Sequence, residues 1–175
     1  VCRFMARYAW LKKELQINKK YVQEEKCEKY VDLKKLNKEL TASVIFPVGF
    51  MNSPASIFGH TLITLQSPHN PGLISTAINY AAMTDEDFGP FFAVRGIFGL
   101  YKGFFTIQPY YMKVQEYSDI DQRDIWEYRL NLTNDEIKMI MYHIWELNSI
   151  YSRYFFFDEN CSYNLLFLLE VARSG

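Results

Sequence analysis

Apolar positions recur at two spacings along the chain, and the spacing predicts where it is helix and where it is sheet. Phe4, Tyr8, Leu11 and Leu15 repeat at three to four residues, so Cys2 to Gln16 is predicted to be an amphipathic helix. From Lys12 to Lys38 charge replaces pattern: nine of the nineteen basic residues fall there, diluted by six carboxylates between Glu14 and Glu39. That mixture suits a solvated helical face better than a basic patch for lipid headgroups. Ser43 to Val48 is then a short β-rich run ended by Pro47 and Gly49. Thr61 to Leu65 alternates, and Leu73 to Tyr80 has the pattern of a second strand. The turn cluster Gln66 to Gly72 between them predicts an antiparallel hairpin. In its second strand Ser75, Ala77 and Asn79 share one face, and Ile74, Thr76, Ile78 and Tyr80 the other.

Further along, Phe104 to Ile107 and Ile125 to Leu130 are predicted strands, with Trp126, Tyr128 and Leu130 alternating against Glu127 and Arg129. Tyr110 to Tyr117 fits helix or extended chain. Phe91 to Tyr101 is apolar and punctuated by glycine, with Arg95 as an isolated charge. Thr133-Asn-Asp-Glu136 is a capping box, and Ile137, Ile140, Met141, Ile144 and Leu147 form the stripe of the helix it opens. His143 lies beside that stripe, as a half-exposed structural histidine would. The last element is an apolar helix that starts at Cys161, after the polar step Asp158-Glu159-Asn160. Asn160 or Asp158 is its expected cap.

The 175 residues, 49% hydrophobic and 17% aromatic, suffice for one globular domain with a real core. An N-terminal helical section over 1–40 and a core over 41–175 are expected, in an α+β fold with an antiparallel sheet packed on the cysteine-bearing helix. Thirteen tyrosines and fourteen phenylalanines could fill that core or line a groove for lipid or peptide. A net charge of −1 gives no reason to expect nucleic acid. No apolar run reaches the roughly 18 residues that span a bilayer. Val1 and the stop at Ser174-Gly175 are expected of a piece of a longer protein, whose other parts would carry targeting signal and anchor.

Chemistry narrows quickly. There is no G-x-S-x-G elbow and no G-x-x-x-x-G-K-[ST] loop. Three scattered histidines without a C-x-x-C or H-x-x-x-H pair make zinc unlikely, and Asp85-Glu86-Asp87 has the character of a solvated turn; no cofactor or metal is expected. A thiol in the first turn of a helix is different. The positive end of the helix dipole and free N–H groups favour its thiolate, so Cys161 is a candidate nucleophile, although a free cysteine is most often one more buried apolar residue. His60 follows Gly59 at the mouth of a strand-like run and is the candidate base. Asn79, on the neighbouring strand, is the candidate for orienting the imidazole, or else it serves only backbone groups. The Cys161 N–H is a natural oxyanion donor. Asp158 and Glu159 would oppose a thiolate, so they should point away or serve the cap.

Several longer stretches resemble one bacterial envelope family. Ser43-Val-Ile-Phe-Pro-Val-Gly-Phe-Met-Asn-Ser-Pro-Ala-Ser-Ile-Phe-Gly-His60, Asn79-Tyr-Ala-Ala82, Phe92-Ala-Val-Arg-Gly-Ile-Phe-Gly-Leu-Tyr-Lys-Gly103 and Phe157-Asp-Glu-Asn-Cys-Ser-Tyr163 look like the N-terminal periplasmic domain family of the lipoprotein N-acyltransferase Lnb. The opening Cys2-Arg-Phe-Met-Ala-Arg-Tyr-Ala-Trp-Leu11, followed by Cys27, is similar too. The resemblance implies a circularly permuted papain-like fold, related to NlpC/P60 peptidases and lecithin:retinol acyltransferase-type enzymes. In that group the histidine strand precedes the cysteine helix. It implies Cys161 as nucleophile and His60 as base, acting through an acyl-thioester.

It further implies a lipid acyl donor, such as a phospholipid, and the amino terminus of a lipoprotein as acceptor, on the periplasmic side of the inner membrane. Membrane proximity would come through parts absent from this chain. A Cys2–Cys27 bridge is favoured by the resemblance over two reduced thiols, since spacing alone decides no disulfide. An NlpC/P60-like peptidase or amidase, and a non-catalytic envelope module in which Cys161 and His60 never meet, are the alternatives.

Overall fold

A computed structural model describes residues 2–17, 40–47, 60–68, 71–84, 90–115 and 124–174. Residues 18–39, which hold most of the lysine-rich stretch and Cys27, the Asn52–Ser56 loop, His69 and the Asp85–Asp87 run lie outside these residues, and with Cys27 the Cys2–Cys27 pairing. The fold is α+β. Six strands form one antiparallel sheet: β1 (Thr41–Pro47), β2 (Leu62–Gln66), β3 (Thr76–Met83), β4 (Tyr101–Pro109), β5 (Ile125–Arg129) and β6 (Tyr151–Tyr154). Their order across the sheet is β5-β1-β2-β3-β4-β6, with every neighbouring pair antiparallel. The helices are α1 (Met5–Glu14), α2 (Pro90–Ile97), α3 (Tyr110–Gln115), α4 (Asn134–Leu147) and α5 (Cys161–Ser174).

The predicted hairpin is present. Leu62 pairs with Asn79, Ile63 with Ile78 and Thr64 with Ala77. Its second strand starts later than expected, because Gly72 takes a positive φ of 56° and opens a short 3-10 turn over Gly72–Ile74. Leu73 and Ile74 are exposed on that turn, and β3 begins at Thr76 and runs on to Met83.

Two helices cover one face of the sheet. The capping box forms as predicted: Glu136 N–H donates to Thr133 Oγ1 at 3.3 Å, and Thr133 N–H to Glu136 Oε2 at 2.7 Å. With its end held, α4 buries Ile137, Ile140, Met141 and Ile144 against Ala42, Ile63, Ile78 and Phe105 of the sheet. Leu165, Leu168 and Ala172 of α5 join the same core. Each fully buried aliphatic side chain there contributes about 1.5–3 kcal/mol of hydrophobic stabilisation. On the opposite face, Ile45, Leu62 and Ala77 pack under Tyr110 and Val114, which settles the ambiguous Tyr110 segment as helix α3.

The N-terminal helix forms but buries a face other than the one its spacing suggested. Phe4, Leu11 and Leu15 are exposed, whereas Met5, Ala6 and Ala9 pack on Met139 and Tyr142 of α4. Small alanines let two helices approach where bulky residues would hold them apart. Polar bonds then complete the seam: Arg7 N–H donates to Glu146 Oε1 at 2.9 Å, Arg7 Nε lies 3.2 Å from Glu146 Oε2, and Trp145 Nε1 donates to the Cys2 carbonyl at 2.7 Å.

Candidate active site

The cysteine helix starts where the pattern placed it. Asn160 is the cap, its Oδ1 accepting the Tyr163 N–H at 3.2 Å while its own amide donates to the Phe156 carbonyl at 3.2 Å. One turn on, Asn164 donates to the Asn160 carbonyl at 3.0 Å and the Glu159 carbonyl at 3.2 Å, tying the turn to the helix. Asp158 and Glu159 are exposed, so the two carboxylates extend into solvent. Cys161 is buried and is a free thiol.

The start of β2 meets this first turn. Thr61 Oγ1 and Ser162 Oγ share a hydrogen bond of 2.7 Å. His60, two residues before Leu62, reaches Asn79, the residue paired with Leu62, and His60 Nε2 lies 2.6 Å from Asn79 Oδ1. An amide oxygen only accepts, so Nε2 carries the proton and the lone pair is on Nδ1. The imidazole also hydrogen-bonds the Cys161 thiol. The three residues singled out in the sequence are therefore in one place: Asn79 fixes the tautomer of His60, and His60 meets Cys161.

Burial alone would push the Cys161 thiol up. It is outweighed by the His60 hydrogen bond and charge, the Thr61 backbone N–H and the Tyr154 hydroxyl, which together bring the thiol from 9.0 down to about 7. Tyr154 was not foreseen. It ends β6, a strand missed in the aromatic run before Cys161, although Ser152 and Tyr154 share one face of it by the two-residue period. Its hydroxyl donates to the thiol and accepts the Cys161 N–H. Burial first, and then the neighbouring thiolate charge, raise the Tyr154 phenol well above its ordinary value, so it stays a donor. The N–H expected to be open for an oxyanion thus rests on a tyrosine oxygen.

A layer of rings holds that tyrosine. Tyr154 stacks on Tyr80 with centroids 5.6 Å apart and planes at 18°, and Tyr80 tilts against Phe105 at 4.8 Å. The Tyr80 hydroxyl bonds Ser152 Oγ. Gly103 lies directly under that hydroxyl, where any Cβ would collide with it. Gly96 meets the Phe156 ring in the same way. Phe156 N–H also bonds the Gly96 carbonyl, so α2 braces the segment leading to Cys161.

Among the described residues no group of three His, Cys, Asp or Glu side chains could hold a metal ion, and no helix is long and apolar enough to cross a membrane. The arrangement is that of an α+β domain with a cysteine, a histidine and an asparagine joined by hydrogen bonds where a strand meets a helix N-terminus. The family model of the Lnb N-terminal periplasmic domain matches residues 25–175, and the chain belongs to that family. No curated protein and no solved structure matches it.

Proposed function

We propose that the domain is a cysteine-dependent acyltransferase, which moves a lipid acyl chain through a thioester on Cys161 to the amino terminus of a bacterial lipoprotein. Its fold is the permuted papain-like one, and it works on the periplasmic side of the inner membrane. The observation that carries the reading is the Cys161 thiol, lowered to about 7 by a tautomer-fixed His60 in a chain of the Lnb periplasmic-domain family.

In the first half-reaction Cys161 passes its proton to Nδ1 of His60, and the thiolate attacks the ester carbonyl of a phospholipid. The oxyanion forms beside the Cys161 N–H and the Tyr154 O–H, which give up their resting bonds, to the tyrosine oxygen and to the sulfur, as they turn to it. Collapse breaks the ester C–O bond, the leaving alkoxide takes the proton from His60, and a lysophospholipid departs. In the second, the lipoprotein amine attacks the thioester, His60 accepts its proton, the amide forms and the cysteine leaves as thiolate. Asn79 keeps the imidazole in the productive orientation throughout.

Intact-mass measurement after incubation with phosphatidylglycerol vesicles tests this. The expected result is an added acyl mass on Cys161 that hydroxylamine removes and that Cys161→Ser never acquires. An unmodified Cys161, or equal acylation in Cys161→Ser, would refute it.

A further inference from the structure

Beyond the thiol, α5 forms one wall of a cavity of about 350 Å³ bounded by α4, β3, β4 and β6. That size is in the range of small-molecule sites. Its walls are Phe105, Leu147, Ile150, Phe167, Leu168 and Val171, and Tyr80 and Gly103 close it on the sheet side. Phe167, Ile150 and Tyr151 are exposed around it, so it communicates with solvent on that side. Of the polar groups that line it, the Tyr80 hydroxyl is engaged with Ser152 and the Asn164 amide with two backbone carbonyls. His143 contributes a ring whose pKa burial pushes down, against the opposing pull of Glu146. A peptide or glycan placed there would lose hydrogen bonds to water with little in return. A hydrocarbon chain loses none.

The cavity is also in line with the thiol. Cys161, Asn164, Leu168 and Val171 follow one another at helical spacing along one side of α5. The stretch from Asn164 to Val171 is about 10 Å long at 1.5 Å per residue. It begins one turn from the sulfur. Tyr80, which lines the cavity, stacks on Tyr154, whose hydroxyl bonds the thiol.

We propose that this cavity binds a single alkyl chain, the tail of the acyl group that Cys161 transfers. The proposal rests on the acyltransferase reading for the identity of the chain, but the binding itself needs no turnover. Val171 and Ile150 are then specificity-determining residues, one on the wall and one at the exposed rim.

The test is fluorescence titration of cis-parinaric acid, which brightens on entering an apolar site, into the Cys161→Ser chain so that no thioester can form. Saturable binding is expected. Val171→Trp fills the cavity and Ile150→Glu puts a charge on its rim, and each should weaken binding by about tenfold or more. Ile150 is exposed, so Ile150→Glu keeps the test open if the larger substitution disturbs folding; cooperative thermal unfolding verifies both. Absence of saturable binding, or binding indifferent to Ile150→Glu in the folded protein, overturns the proposal. Binding lost in both variants supports it even if Cys161 proves never to be acylated, a result that would sink the acyltransferase reading alone.

Discussion

His60 and His143 are both half-buried, and their surroundings assign them different work. His143 projects from α4 among apolar neighbours, and burial lowers its pKa, with the charges of Glu146 and Arg7 modulating it. His60 sits where two elements meet, with a proton fixed on Nε2 by Asn79 and a thiol beside it. Burial therefore does not separate a reactive histidine from a packing one. Directed bonds on both sides of the ring do, because they hold a tautomer and supply a proton partner.

Removing the ring should be the sharpest way to break that contrast. His60→Ala leaves the burial of Cys161 without its main counterweight, so the thiol should rise and acyl-thioester formation should slow about 10²–10⁴-fold. Rapid-quench mass spectrometry would measure it, and an unchanged rate would reduce His60 to the standing of His143. Asn79→Ala removes the bond that holds the tautomer. A hydrogen bond to a charged partner contributes about 1.5–3 kcal/mol, so a loss of about 10- to 100-fold is expected in the same assay, less than for His60.

Tyr154→Phe sharpens the comparison from the thiol side. In the parent, iodoacetamide labelling of Cys161 should rise through about pH 7, below the ordinary thiol range near 8.5. The sign for stability follows from the same shift: the native state favours the thiolate, so its contribution is present above the unfolded pKa and lost as pH falls through about 7. Without the tyrosine hydroxyl the labelling curve should move to higher pH, slowing the reaction at pH 7 about fivefold. A curve that stays in place would remove Tyr154 from the site.

The smallest effect on the thiol should come from the His143 side. Glu146→Ala removes the acceptor of the Arg7 N–H and the buried partner of its guanidinium. Chemical denaturation should show about 1–3 kcal/mol lost, with the Cys161 labelling curve unmoved. A shifted curve would mean that the α1–α4 seam and the thiol site are coupled.

Local patterns carried much of this fold, for a physical reason. A capping box, a turn cluster between two β-patterned runs, and a polar step before an apolar helix each describe neighbours in the chain, and a few residues suffice to specify them. So the α4 cap, the β2–β3 pairing and the position of Cys161 in the first turn of α5 were legible, as were Cys161, His60 and Asn79 as candidates. Periodicity alone misassigned the buried face of α1. Its bulky residues made the stronger pattern, while the contact formed through Ala6 and Ala9, and that choice belongs to the surface of α4.

What only the tertiary structure decided are the contacts between distant segments. The His60–Asn79 bond depends on the register that pairs Leu62 with Asn79, and a one-residue slip would turn the amide to the other face. The Tyr154–Cys161 contact depends on β6 adding to the sheet edge beside β4, which four residues of a longer aromatic run did not announce. The cavity requires α4, α5 and three strands at once. Sequence determines what each segment can be through its own neighbours; which side chains meet is determined by layers and registers that exist only when all the segments have packed.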